Sequence, residues 1–158
     1  MPKPTQPELK KWLVQLNEQI PILDEKTYLV THSLGGLTTL HYLTQKFQQD
    51  SRARIGGLLL VSGFYEKREG MSSPEDFFEG SIDFNAIKKG TNGNITVVSS
   101  ANDYIVPTEL TDQLARKLNG NYYRKKESGH FLATDGYVEF PLLLSLLTNL
   151  VEQENHGS

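Results

Sequence analysis

The chain has 158 residues, 37% apolar and 22% charged, with a mean hydropathy of −0.42 and a net charge of −3, which suits one domain with one core. No apolar run approaches the roughly 20 residues of a bilayer span, and Arg124-Lys125-Lys126 is the sole basic cluster, read as a solvated strand end, so a membrane protein and a nucleic-acid binder are both disfavoured. The absence of cysteine excludes a disulfide scaffold and a thiolate zinc site.

The opening MPKPTQPELKK has no apolar h-region, so the expectation is a cytoplasmic protein. From Pro7, the residues Leu9, Trp12, Leu13, Leu16 and Ile20 draw one apolar stripe at helical spacing. Thr27 to Thr31 reads as a short buried strand. Beyond Gly35 and Gly36, Leu37, Leu40, Leu43 and Phe47 mark a second helix. IGGLLLV (55–61) and ITVVS (95–99) are further buried strands, and NYYR (121–124) is a weaker fourth. Leu110, Leu114 and Leu118 place a helix between the last two strands. Pro141 starts a final helix that carries Leu143, Leu146, Leu147 and Leu150. Residues 1–152 form the expected single domain and 153–158 a disordered tail. Residues 62–93, rich in glycine and aromatics, are either a lid over a pocket or a long connection packed on the core.

Strands that alternate with helices, and are continuous apolar runs, predict a parallel sheet covered on both faces: an α/β, three-layer fold. Ligands in such a sheet bind beyond the carboxyl ends of the strands. Ser33 follows the first strand, Asp103 the third and His130 the fourth. Serine, acid and histidine thus share one end of the sheet in the chain order of the α/β-hydrolase triad.

The turn THSLG (31–35) departs from the G-x-S-x-G elbow. Gly35 supplies the small residue after the serine, whereas Thr31 stands where glycine is usual and is tolerated if the helix packs further from the strand. Leu34, next in the chain, offers its backbone N–H as an oxyanion donor at the start of a helix. Pro107 fixes the loop that presents Asp103. Gly129 frees the backbone that aims His130. Leu34, Phe64, Ile105 and Phe131 are expected to wall a small apolar pocket suited to short acyl esters. His32, the variable residue of the elbow, is read as lining the pocket or as structural. His41 reads as packing or solvent, and His156 falls in the tail. No His/Asp/Glu cluster at metal spacing, Walker loop or G-x-G-x-x-G is present in the sequence, so neither metal nor cofactor is expected.

The segments MPKPTQPELKKW, TYLVTHSLGG, GGLLLVSGF, ANDYIVP and ESGHFLATDGY, in this order, resemble the YdeN-like small serine hydrolases, the group that includes retinoblastoma-binding protein 9. The resemblance covers essentially the whole chain. It implies Ser33 as nucleophile, Asp103 as acid and His130 as base, acting on small acyl esters without a cofactor. It also implies that elements normally preceding the MPKPTQPELKKW segment are absent: a strand, a His-Gly loop, a helix and a second strand. That loop would supply the second oxyanion donor, and losing one donor typically costs about 2.7–4 kcal/mol. The Thr27–Thr31 strand would then be an open edge available for self-association. Two alternatives remain on the sequence: a catalytically weak or inactive hydrolase-fold interaction module, and a flavodoxin-like nucleotide binder, the latter weakened by the lack of a phosphate-cradling loop.

Overall fold

A computed structural model describes residues 5–155, with side chains through 152. Helix α1 (Leu9–Gln19) leads to strand β1 (Tyr28–His32) and helix α2 (Leu34–Gln49). Strand β2 (Gly57–Val61) follows, then a single 3-10 turn at Glu75–Phe78 and helix α3 (Phe84–Gly90). Strand β3 (Ile95–Ser100), helix α4 (Thr108–Leu118), strand β4 (Asn121–Lys125), a 3-10 turn at Ala133–Asp135 and helix α5 (Pro141–Asn155) complete the order. Helix α5 therefore runs three residues past position 152, while His156 lies outside the described residues.

The four strands form one parallel sheet in sequential order, β1-β2-β3-β4. In β2, side chains alternate between two cores, as the pleat requires. Leu58 and Leu60 join α2, α3 and α4 on one face, in a cluster with Leu40, Leu43, Phe47 and Leu114. Leu59 and Val61 point to the other face and meet Leu146 and Leu150 of α5. Complete burial of β2 and β3 explains the apolar runs Leu58-Leu59-Leu60-Val61 and Val97-Val98, while Thr96, Ser99 and Ser100 of β3 are buried polar residues.

The outer strands differ from the expected two-sided burial. Every residue of β4 is exposed, and Val30 of β1 is 43% exposed. Exposure lets β4 carry tyrosines and charges, with Arg124 paired to Asp112 at 2.7 Å. Strand β1 pairs with β2 on one edge, and no other strand among the described residues pairs with its second edge. A cavity of about 250 Å³ lies along that edge, lined by residues that include Leu16 and Ile20, Val30 and His32, and Thr39 and Tyr42.

Residues 62–93 pack on the core. Phe77 is fully buried and meets Trp12 edge-on at 5.3 Å. His41 is buried as well, with Nε2 2.8 Å from the Phe77 carbonyl. The same segment contains α3, whose first turn is capped by the Asp83 carboxylate accepting from the Ala86 amide at 2.8 Å.

Candidate active site

Strands β1, β2 and β3 each continue their ladder by one bond before turning away, and those bonds peg the turns that follow them. Ser33 N–H donates to Val61 O at 2.9 Å, Ser62 N–H to Val98 O at 2.9 Å, and Ala101 N–H to Lys125 O at 2.9 Å.

Ser33 sits between β1 and α2 at φ 53° and ψ −128°. A non-glycine residue there costs on the order of 1–3 kcal/mol, which the surrounding structure must sustain. The turn is tight for a reason the motif misassigns. A Cβ on Gly35 would meet nothing within 4 Å, whereas one on Gly36 would lie 3.3 Å from both Leu60 Cδ2 and Thr31 Oγ1. Gly36, not Gly35, is thus the residue that lets the helix close on the strand. Its missing side chain is also what accommodates the β-branched Thr31. Leu34 is the first residue of α2, where backbone N–H groups lack intrahelical acceptors.

Asp103 and His130 meet directly. His130 Nδ1 lies 3.0 Å from Asp103 Oδ1 and 2.9 Å from Oδ2, with both side chains almost entirely buried. A carboxylate only accepts, so Nδ1 carries a proton, and in the neutral ring the lone pair is on Nε2. The carboxylate takes three further bonds: from Ser62 Oγ at 2.7 Å, Ile105 N–H at 3.0 Å and Val106 N–H at 2.9 Å. Burial by itself pushes the Asp103 carboxyl up. The bonds from His130, Val106, Ser62 and Ile105 outweigh it, and the group is held below its ordinary value.

The loop after β4 folds back over the strand ends to deliver His130. It does so with Gly129 at φ 53° and Phe131 at φ 57°, one left-handed residue on each side of the histidine. A Cβ at Gly129 would fall 2.6 Å from the Asp135 carboxyl carbon, so only glycine fits. Asp135 Oδ2 in turn accepts from the amides of His130 and Leu132, each at 3.0 Å.

His32 joins the first strand to this loop. Its Nε2 lies 2.8 Å from the His130 carbonyl, and the two rings stand 4.6 Å apart between centroids. Desolvation is the main reason its pKa falls below the ordinary value; the nearby His130 ring acts in the same direction, while the bond to the His130 carbonyl and the Asp103 charge oppose it. The residue preceding Ser33 is thereby in contact with His130. No hydrogen bond joins the Ser33 hydroxyl to the His130 ring.

The four residues expected to wall one pocket are divided. Phe64 is 1% exposed and belongs to a core cluster with Leu37 and Phe77, against which Leu34 packs. Phe131 is buried in the opposite cluster, stacked on Phe140 at 5.2 Å. Ile105 is 46% exposed and belongs to neither. The buried Ser62, the half-buried Asp135, and Asn102 beside the acid carried no signal in the sequence beyond their proximity to strand ends.

A parallel sheet with a strained serine after one strand, and a buried histidine–aspartate pair supplied from the turns after two others, defines the α/β-hydrolase class. The comparisons agree. A model of the serine hydrolase family matches residues 1–149, and the chain belongs to that family. It is 34% identical over 154 residues to YdeN of Bacillus subtilis (strain 168), which is named as a hydrolase; the match takes in 98% of this chain and 79% of YdeN. The crystal structure of the YdeN gene product superposes with a TM-score of 0.81 at 32% identity, over 96% of this chain and 80% of that one. A meta-cleavage product hydrolase from Pseudomonas fluorescens shares the fold at TM-score 0.60 and 12% identity, over 99% of this chain and 75% of its own. Among the described residues, no helix is long and apolar enough to cross a membrane.

Proposed function

We propose that this serine hydrolase is a carboxylesterase acting on small acyl esters through Ser33, His130 and Asp103. The observation that carries the reading is the buried bond between His130 Nδ1 and the Asp103 carboxylate, with the residue before Ser33 in contact with His130. Ser33 Oγ attacks the acyl carbonyl while His130 Nε2 takes its proton. The imidazolium so formed is stabilised by Asp103 and returns the proton to the leaving alcohol. Water then repeats the sequence on the acyl-enzyme, with the acid leaving and Ser33 restored. Developing negative charge on the carbonyl oxygen is met by the Leu34 N–H at the start of α2. Leu34 and Ile105 flank the reacting residues and offer apolar surface to the acyl group. Phe64 and Phe131 support this surface from within their cores, and His32 borders it. Neither a metal nor an organic cofactor has a step in this sequence.

The experiment is hydrolysis of p-nitrophenyl acetate by the wild type, Ser33→Ala and His130→Ala. Loss in both variants supports the triad, and undiminished turnover in either refutes it.

The missing Ser33–His130 hydrogen bond favours a second reading, a weak or inactive hydrolase-fold interaction module. Catalytic hydrogen bonds often close only when substrate binds, so the geometry without substrate does not choose it over the first. We further propose that the open edge of β1 is a surface for self-association, supported by its exposed Val30 and by the cavity alongside.

A further inference from the structure

We propose that Asn102 is a positioning residue of this site, holding the histidine loop at the distance from which His130 reaches Asp103. The inference rests on the esterase reading for its kinetic test but on geometry for its substance. Three consecutive residues of the turn after β3 each grip the loop that follows β4. Asn102 Oδ1 accepts from the amides of Ser128 and Gly129, both at 2.9 Å. Asp103 takes the His130 ring. Tyr104 OH donates to the Asp135 carboxylate at 3.2 Å, and that carboxylate holds the His130 amide. The acid is thus the middle member of a three-residue contact.

The Asn102 grip lies upstream of the histidine. The atom facing the loop must be the side-chain oxygen, because backbone N–H groups can only donate. The same oxygen accepts from Ser100 Oγ at 2.7 Å, and Ser100 Oγ also accepts from the Ser128 amide at 2.9 Å. Ser100 and Ser128 are both buried while Asn102 itself is exposed, so its side-chain oxygen reaches inward and these bonds are partly shielded from water. They matter because the backbone from 129 to 131 is left-handed at both flanks of His130 and cannot rely on a regular ladder to hold it. Without the Asn102 oxygen, the Gly129 amide loses its acceptor and the Ser128 amide keeps only Ser100 Oγ, so the loop can relax away from Asp103. A displacement of about 1 Å in a catalytic group is worth roughly 10²-fold in rate.

The test compares Asn102→Ala and Asn102→Asp in the full chain. The second keeps an oxygen acceptor in the same place. Turnover of p-nitrophenyl acetate is measured together with the low-field proton resonance of His130 Nδ1–H. Asn102→Ala is expected to lose roughly 10²-fold in kcat with KM little changed, and to lose the low-field proton. Asn102→Asp is expected to recover most of the rate and the resonance. If Asn102→Ala does not fold cooperatively, Asn102→Asp decides alone: retained rate and resonance uphold the role, and their loss overturns it. An Asn102→Ala protein that keeps both, or a folded Asn102→Asp protein as impaired as the alanine variant, overturns the proposal. Should the wild type itself fail to turn over the ester, the esterase reading falls while the resonance still decides the role of Asn102.

Discussion

His32 Nε2 stands 2.8 Å from the carbonyl oxygen of His130, so the residue before the candidate nucleophile holds the backbone of the candidate base. The carbonyl can only accept, which puts the His32 proton on Nε2 and leaves Nδ1 to titrate. Desolvation lowers the pKa of this imidazole, so folding disfavours its charged form. The unfolded chain takes up the proton from about pH 6.5 downward while the folded chain resists. Stability is therefore expected to fall as pH drops below about 6.5. Denaturant unfolding of His32→Gln across that range should show a flatter profile than the wild type, and equal slopes would contradict the assignment.

Asp103 titrates lower in the scale. Its folded pKa is depressed, so its contribution to stability is complete above the unfolded value of about 3.9 and is lost as pH falls through the folded one. The stability difference between the wild type and Asp103→Asn should accordingly be large near neutral pH and shrink below about pH 4. In kinetics, the asparagine variant should lose about 10²–10⁴-fold in kcat, since Nδ1–H no longer faces a charge.

Gly36 and Gly129, the crowded glycines beside the candidate residues, make different demands. Gly36→Ala places a methyl 3.3 Å from Thr31 Oγ1 and Leu60 Cδ2, an overpacking cost of about 1–3 kcal/mol, offset by roughly 0.5–1 kcal/mol of helix propensity. That cost should shrink in a Thr31→Ala background, because one of the two crowded atoms is gone. Gly129→Ala combines a left-handed φ with a 2.6 Å approach to Asp135 and should cost more in any background. Thermal unfolding of the three variants and of the Thr31→Ala/Gly36→Ala double variant checks both statements.

Val30 occupies the open edge of β1 and is 43% exposed. A charge there opposes pairing with another strand. Val30→Lys is expected to shift the chain toward monomer in sedimentation velocity without loss of cooperative unfolding. An unchanged distribution, with the wild type already monomeric, would rule out self-association through this edge.

The central strands were legible because Leu58-Leu59-Leu60 and Val97-Val98 are buried on both faces and so form continuous apolar runs. The order of Ser33, Asp103 and His130 was legible for a related reason: a parallel sheet gathers whatever follows its strands at one end. Helix α3 was not, since seven residues capped by Asp83 inside a glycine-rich stretch show little periodicity. The closing glycine was assigned one residue early, because the motif counts positions while the contact depends on which way α2 turns its backbone toward Thr31 and Leu60. The common pocket wall was not legible either, for Phe64 and Phe131 are neighbours of functional residues in sequence yet belong to cores on opposite faces. Ser62, Asn102 and Asp135 act through bonds that span up to 41 positions, and nothing local marks a polar residue as one end of such a bond.

The most direct test of the account is labelling with a fluorophosphonate, which reacts with a serine only when a neighbouring base activates it. The account predicts a single adduct, mapped by peptide mass spectrometry to Ser33, that disappears in Ser33→Ala and is strongly slowed in His130→Ala. Absence of any adduct on the folded wild-type chain, or an adduct on Ser33 formed at the same rate without His130, would contradict it.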